Sequence, residues 1–240
     1  MKKIGILLIS VMLLGLFGCS GNKNMESSAN VSERSVVAES PAKIKKDIGG
    51  LLENTFMELW KSDIIYIDVE MTVENNEDSN QKDVYKYILA SDKNKKTAMI
   101  NMDQPDNKKL HCIIENDKIY YINDSEKNYK ISDYKNTIDE FIKAYTKDMN
   151  LGVSESIQLS EDGTTDFKGE KDIAFEKYAI VSTEKNASSI TITYYFKDEK
   201  PYAEVMQSDK GKTTFIFKSA DAKISDNSIF KVPSDYSKKE

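Results

Sequence analysis

Between residues 64 and 74 apolar and polar side chains alternate without a break. Ile65, Ile67, Val69, Met71 and Val73 form one row, and Tyr66, Asp68, Glu70, Thr72 and Glu74 form the other. A period of two predicts a strand with one buried face. Residues 84–90, 97–102, 110–115 and 118–122 continue the pattern, with a short strand at 128–132. The connections at 91–94, 104–107 and 115–117 are rich in Ser, Asp, Asn and Pro and read as turns. Connections this short imply antiparallel neighbours. After residue 152 strands are predicted near 154–160, 175–183, 188–197, 201–208 and 212–219. A last extended piece at 229–232 is ended by Pro233.

Two segments follow a different period. After Pro41, which suits a helix start, Ile44, Ile48, Leu51, Leu52, Phe56, Leu59 and Trp60 recur at helical spacing. Gly49 and Gly50 inside this stretch weaken it by about 1 kcal/mol each relative to alanine. A close approach to another element or a local kink would account for the pair. A second helix is marked by Ile138, Phe141, Ile142, Tyr145 and Met149, with Asn136 or Thr137 as candidate cap. No domain boundary and no fixed repeat interrupts residues 41–240. The pattern predicts one α+β domain built on a large, curved antiparallel sheet.

The first residues belong to neither pattern. Lys2 and Lys3 precede an uncharged apolar run from Ile4 to Phe17, which ends at Gly18-Cys19. The run is too short to span a bilayer as a helix and has the layout of a secretory signal, assigned here to residues 1–18. The small residue before a cysteine resembles the lipobox of bacterial lipoproteins. That resemblance implies diacylglycerol on the Cys19 thiol, cleavage just before it, and acyl chains such as palmitate holding the chain to a membrane. An ordinary signal peptide with an incidental cysteine is the alternative. Residues 19–40 are rich in Ser, Asn, Glu and Lys without apolar periodicity, as expected of a solvated tether.

Composition narrows the function classes. The net charge is −6, and removing Lys2 and Lys3 with the signal makes the remainder more acidic still. Nucleic-acid binding needs clustered Lys and Arg, so it is not expected. Arg34 is the only arginine among abundant lysines, a bias that points to an AT-rich, Gram-positive source. The expected location is the extracytoplasmic face of the cell membrane. With Cys19 acylated, Cys112 has no intramolecular partner and is expected to be a buried thiol.

The order of lipobox, tether, helix, strand meander, second helix and further strands closes on Phe230, Pro233 and Tyr236. This resembles the LolA/LolB-like lipoprotein-carrier superfamily, with the related LppX and LprG lipoproteins, over about residues 42–236. The resemblance implies a half-open barrel with amphipathic helices over its concave face, and binding of acyl chains, lipids or another apolar ligand. A shared fold does not by itself transmit an activity.

Candidate chemistry is sparse. His111, the only histidine, sits beside Cys112, and strand neighbours point to opposite faces, so the two do not form a catalytic pair. One histidine and two cysteines are too few for a structural zinc site. Asp92-Lys93-Asn94 starts like a calcium loop, but Lys96 and Thr97 break its pattern. No glycine-rich phosphate loop or Gly-x-Ser-x-Gly elbow occurs. No catalytic residue, metal or cofactor is expected. The pairs Tyr85 and Tyr87, Tyr194 and Phe196, and Phe215 and Phe217 share faces, and Met71, Met99, Met102, Met149 and Met206 are spread over the elements. Such residues build an ordinary core or a deformable apolar cavity. Trp60, Ile65, Ile67, Val69 and Met71 are the candidate ligand-lining residues. The alternative to a ligand binder is a surface protein-interaction or sensor lipoprotein with a filled core; its protein partner has no signature in the sequence.

Overall fold

The computed structural model describes residues 49–76, 82–146, 157–180 and 190–239. The signal, lipobox and tether assignments, Cys19 among them, lie outside these residues, as does the first part of the helix expected from residue 42. Twelve strands are described: β1 Ile64–Asn75, β2 Lys82–Asp92, β3 Thr97–Asp103, β4 Lys109–Glu115, β5 Lys118–Asn123, β6 Asn128–Asp133, β7 Ile157–Phe167, β8 Glu170–Ile180, β9 Ile190–Lys197, β10 Lys200–Gln207, β11 Gly211–Asp221 and β12 Ser237–Lys238. Helix α1 covers residues 50–61, with α-helical turns at Gly50–Leu52 and Glu58–Lys61 around a π-helical segment, Glu53–Met57. Helix α2 is Ile138–Thr146.

All strands join one sheet in the order β12-β6-β5-β4-β3-β2-β1-β11-β10-β9-β8-β7. Two meanders meet where β1 pairs β11, and every pairing is antiparallel except the short β12 along β6. The sheet stays open, with β12 and β7 as its edges. This is the expected α+β class. The tight turns follow local chemistry. Asn116 and Asp117 join β4 to β5 with φ of 53° and 56°, the left-handed pair that matches strand twist in a two-residue hairpin.

The sheet has two differently used faces. Residues directly opposite in antiparallel strands share a face, so the pairings carry Ile67, Leu89, Ile100 and Cys112 in one row. That row is covered by Leu52, Phe56 and Leu59 of α1 and Ile138, Phe141 and Ile142 of α2 in one core. On the outer face Ala90, Met99 and Ile113 pack with Phe230 in a second, smaller cluster. Thr137 opens α2 with a capping box: its hydroxyl accepts from the Glu140 N–H at 3.2 Å, and its own N–H donates to the Glu140 carboxylate at 2.7 Å.

Three expectations are corrected. The glycine pair does not interrupt the described helix; it starts it, with extended Gly49 at the N-cap and Gly50 first in the helix. Residues 229–232 are not uniformly extended. Asn227–Phe230 form a 3-10 turn whose N-cap Asp226 accepts from the Ser228 N–H at 2.8 Å, and the turn drives Phe230 into the outer cluster. Strand β7 runs on to Phe167, beyond the predicted end at 160, because edge residues such as Glu161, Asp162 and Thr164 are exposed and carry no alternation.

A candidate ligand site beneath the helices

Helix α1 lies over the sheet by virtue of Leu52, Phe56 and Leu59, with Leu51, Met57 and Trp60 partly buried beside them. Burying one such side chain contributes about 1.5–3 kcal/mol. Phe56 occupies a socket of aromatic rings, with centroids 5.4 Å from Tyr194, 6.0 Å from Phe196 and 5.2 Å from Phe217. These tilted and edge-to-face contacts suit the ring quadrupoles.

The start of α1 is latched by β8. The Glu176 carboxylate accepts from the N–H groups of Leu51 and Leu52, both at 2.9 Å, and from the Tyr178 hydroxyl at 2.8 Å. The Tyr178 hydroxyl in turn accepts from the Gly49 N–H at 2.8 Å. Three backbone donors that a helix start leaves unpaired are thus satisfied by side chains from a distant strand. The latch also explains Gly49: a Cβ there would stand 2.3 Å from the Glu176 carboxyl group. Close approach is therefore the reason for that glycine. Gly50 has open space around the position of its missing Cβ.

At the other end of α1, a pocket of about 150 Å³ is lined by Trp60, Ile65, Ile142 and Thr146, with Lys93, Asp139 and Lys143 at its polar side. A 3.0 Å ion pair between Lys93 and Asp139 ties α2 to the β2–β3 turn there. The structure brings two of the five candidate lining residues, Trp60 and Ile65, together at this pocket. Ile67 and Val69 are fully buried and lie in the filled core instead. Met71 is partly buried against that core, away from the pocket. The row that feeds this part of the site alternates as predicted; which of its members face open volume depends on where α1 stops.

A larger groove of about 370 Å³ lies at the ends of the β7–β8 and β9–β10 hairpins, reaching Leu51, Ala174 and Phe196. Glu204 of β10 is fully buried and lies directly opposite Tyr194 of β9, which lies directly opposite Glu176 of β8. Among the described residues, neither Glu204 carboxylate oxygen has a hydrogen-bond partner, and neither does the Tyr194 hydroxyl. Burial pushes the Glu204 carboxyl up to about 8 and, with Glu204 nearby, the Tyr194 phenol well above its usual range. The sequence reading missed Glu176, Tyr178 and Glu204. A signal for Glu204 was present: it stands two positions before Met206, so a period of two puts this acid on a row with an apolar residue that packs against the core.

The aromatic pairs Tyr85 and Tyr87, Tyr194 and Phe196, and Phe215 and Phe217 are all buried. Cys112 is a free, buried thiol, pushed up to about 12 by burial. His111 faces the opposite way. Its Nδ1 lies 3.1 Å from Asp124, which also accepts from the Tyr236 hydroxyl at 2.9 Å. His111 is therefore part of the anchorage of the closing segment, with its side chain only 12% exposed, and does not lie open on the solvent face.

In its fold the chain is similar to LppX-like and LolA-like proteins. LprF from Mycobacterium bovis matches at a TM-score of 0.44 with 13% identity, over 78% of this chain and 95% of that one. The Mycobacterium tuberculosis lipoprotein LppX matches at 0.41 with 12% identity, over 73% and 95%. A LolA-superfamily protein from Nitrosomonas europaea matches at 0.32 with 7% identity, over 74% and 97%. No protein-family model and no curated protein matches the chain.

Proposed function

We propose that the protein is an extracytoplasmic, membrane-tethered and non-catalytic binder of an acyl chain, lipid or other apolar ligand. The ligand is taken up on the sheet face that α1 and α2 cover, with Cys19 as the lipid-bearing residue. The supporting observation is the pocket between Trp60, Ile65 and Ile142, where two helices meet the sheet without closing over it. An apolar cavity near 150 Å³ accommodates a benzene-sized group, so a longer chain requires α1 and α2 to part. A specific observation favours a second reading: Ile67 and Val69 have no exposed surface, so the face beneath α1 is filled. A filled core suits a surface interaction or sensor lipoprotein.

Titration with an apolar fluorescent probe separates the two. Trp60 is the only tryptophan and lines the pocket, so bound probe should change its emission saturably. Ile142→Phe, which fills the space beside Trp60, should weaken the probe while leaving the thermal midpoint within a few degrees. Absence of saturable binding to the wild-type chain would reject the ligand-binding reading and favour the interaction lipoprotein.

A further inference from the structure

We propose that the socket under Phe56 is a second ligand site, specific for a cationic ammonium group on an apolar body, with Glu204 and Tyr194 as its recognition pair. The inference deepens the apolar-ligand reading and rests on α1 being able to move off the sheet. Five observations carry it.

Glu204 and Tyr194 face each other across β9 and β10 with unmet hydrogen-bonding capacity in a fully buried position. Burying a polar group without a partner is costly, most of all for a carboxyl group, and a purely packed core would be more stable with neither. Their neighbour Phe56 belongs to α1, which lies on the sheet rather than in it and is fastened at its start by Glu176 and Tyr178 of β8. The walls it would vacate are the aromatic rings of Tyr194, Phe196 and Phe217. Aromatic rings attract cations over their faces, and Glu204 beside them completes the charge by giving up its proton to solvent as the ammonium group enters.

The sign of the ligand follows from the surroundings. Among the described residues, the buried ionisable side chains with acidic or basic charge are Asp92, Glu176 and Glu204, all acids. A route in is present as well: the 370 Å³ groove ends at Leu51 and Phe196, and Phe196 is a wall of the socket. Its rim carries Glu170, Asp172, Asp198 and Glu199 against Lys171 and Lys197. That volume lies within the range of small-molecule sites, roughly 300–1,000 Å³. An anionic head such as a fatty-acid carboxylate would meet a like-charged mouth and a floor without a buried base.

The test uses the full-length chain and three probes of equal chain length, decylamine, decanol and decanoate, each below its critical micelle concentration, in isothermal titration calorimetry. Decylammonium is expected to bind about tenfold more tightly than decanol, a difference of about 1.4 kcal/mol, with decanoate weakest. Glu204→Gln should bring amine and alcohol within about twofold of each other. Amine held only by the acidic surface would not sense this change, because Glu204 has no exposed surface. Glu204→Met serves the same purpose if the glutamine variant fails to fold by circular dichroism. Equal affinities in the wild type, or an amine preference that survives loss of Glu204, overturns the proposal while leaving the apolar-ligand reading standing. Binding of none of the three overturns both.

Discussion

Single side chains already separate the rigid part of this molecule from the part that can respond. Val69 is fully enclosed, so Val69→Phe should overpack the core and cost about 1–3 kcal/mol in a urea melt. An unchanged midpoint would reveal hidden space there. Cys112 is buried, with its thiol pushed up to about 12, so a disulfide reagent at pH 8 should leave it unmodified in the folded chain and label it on unfolding. Glu204 gives a pH signature. Its folded value, about 8, lies above the ordinary 4.5, so the folded state holds a proton that the unfolded state has released. Stability from this group is therefore present below about pH 4.5, falls as pH rises to about 8, and is flat beyond. Glu204→Gln should remove that decline, and the variant should gain on the wild type between pH 5 and 8. A constant difference across this range would place the carboxyl in contact with water.

At the scale of elements, α1 is the informative piece. Much of its polar attachment to the sheet passes through one carboxylate and one phenol on β8. Glu176→Leu removes the acceptor of the Leu51 and Leu52 N–H groups and the carboxylate that the Tyr178 hydroxyl donates to. Amide hydrogen exchange should rise in residues 50–57 and stay unchanged in β1 to β4. Uniform exchange across the domain would mean that the latch supports global stability, and α1 would lose its role as a separable cover. Helix α2 is differently held, by its Thr137–Glu140 capping box and the Lys93–Asp139 pair; the latter is more than half exposed on the aspartate side, and such pairs contribute little.

Across the whole molecule, the two ends of the sheet are finished in different ways. One edge is finished by residues 227–239. Strand β12 runs along β6, Tyr236 binds Asp124, Lys127 pairs with Asp235, and Phe230 fills the outer cluster. Phe230→Ala should cost about 3–5 kcal/mol, as large aromatic truncations in cores do, and should free the terminus to proteolysis. The other edge, β7, carries exposed polar and acidic residues, which discourage pairing with other chains.

Much of this was written locally. The uninterrupted alternation of Ile65, Ile67, Val69 and Met71, the turn residues at 115–117 and the capping residues before Ile138 fix strands, hairpins and a helix, because each depends only on neighbours a few positions apart. Antiparallel pairing of successive strands follows from the short links. Whether Val69 lines a pocket or fills a core does not follow, since periodicity shows which face is apolar and says nothing of the volume left above it. Gly49 is readable as a close approach, but its partner, Glu176, is 127 positions away and becomes visible only when β8 is laid beneath α1. The pairing of Glu204 with Tyr194 and the aromatic socket of Phe56 likewise arise from register between strands and a helix distant in sequence. The chain's local pattern determined the elements and their inward faces; only tertiary contact decided which buried polar groups found partners and which did not.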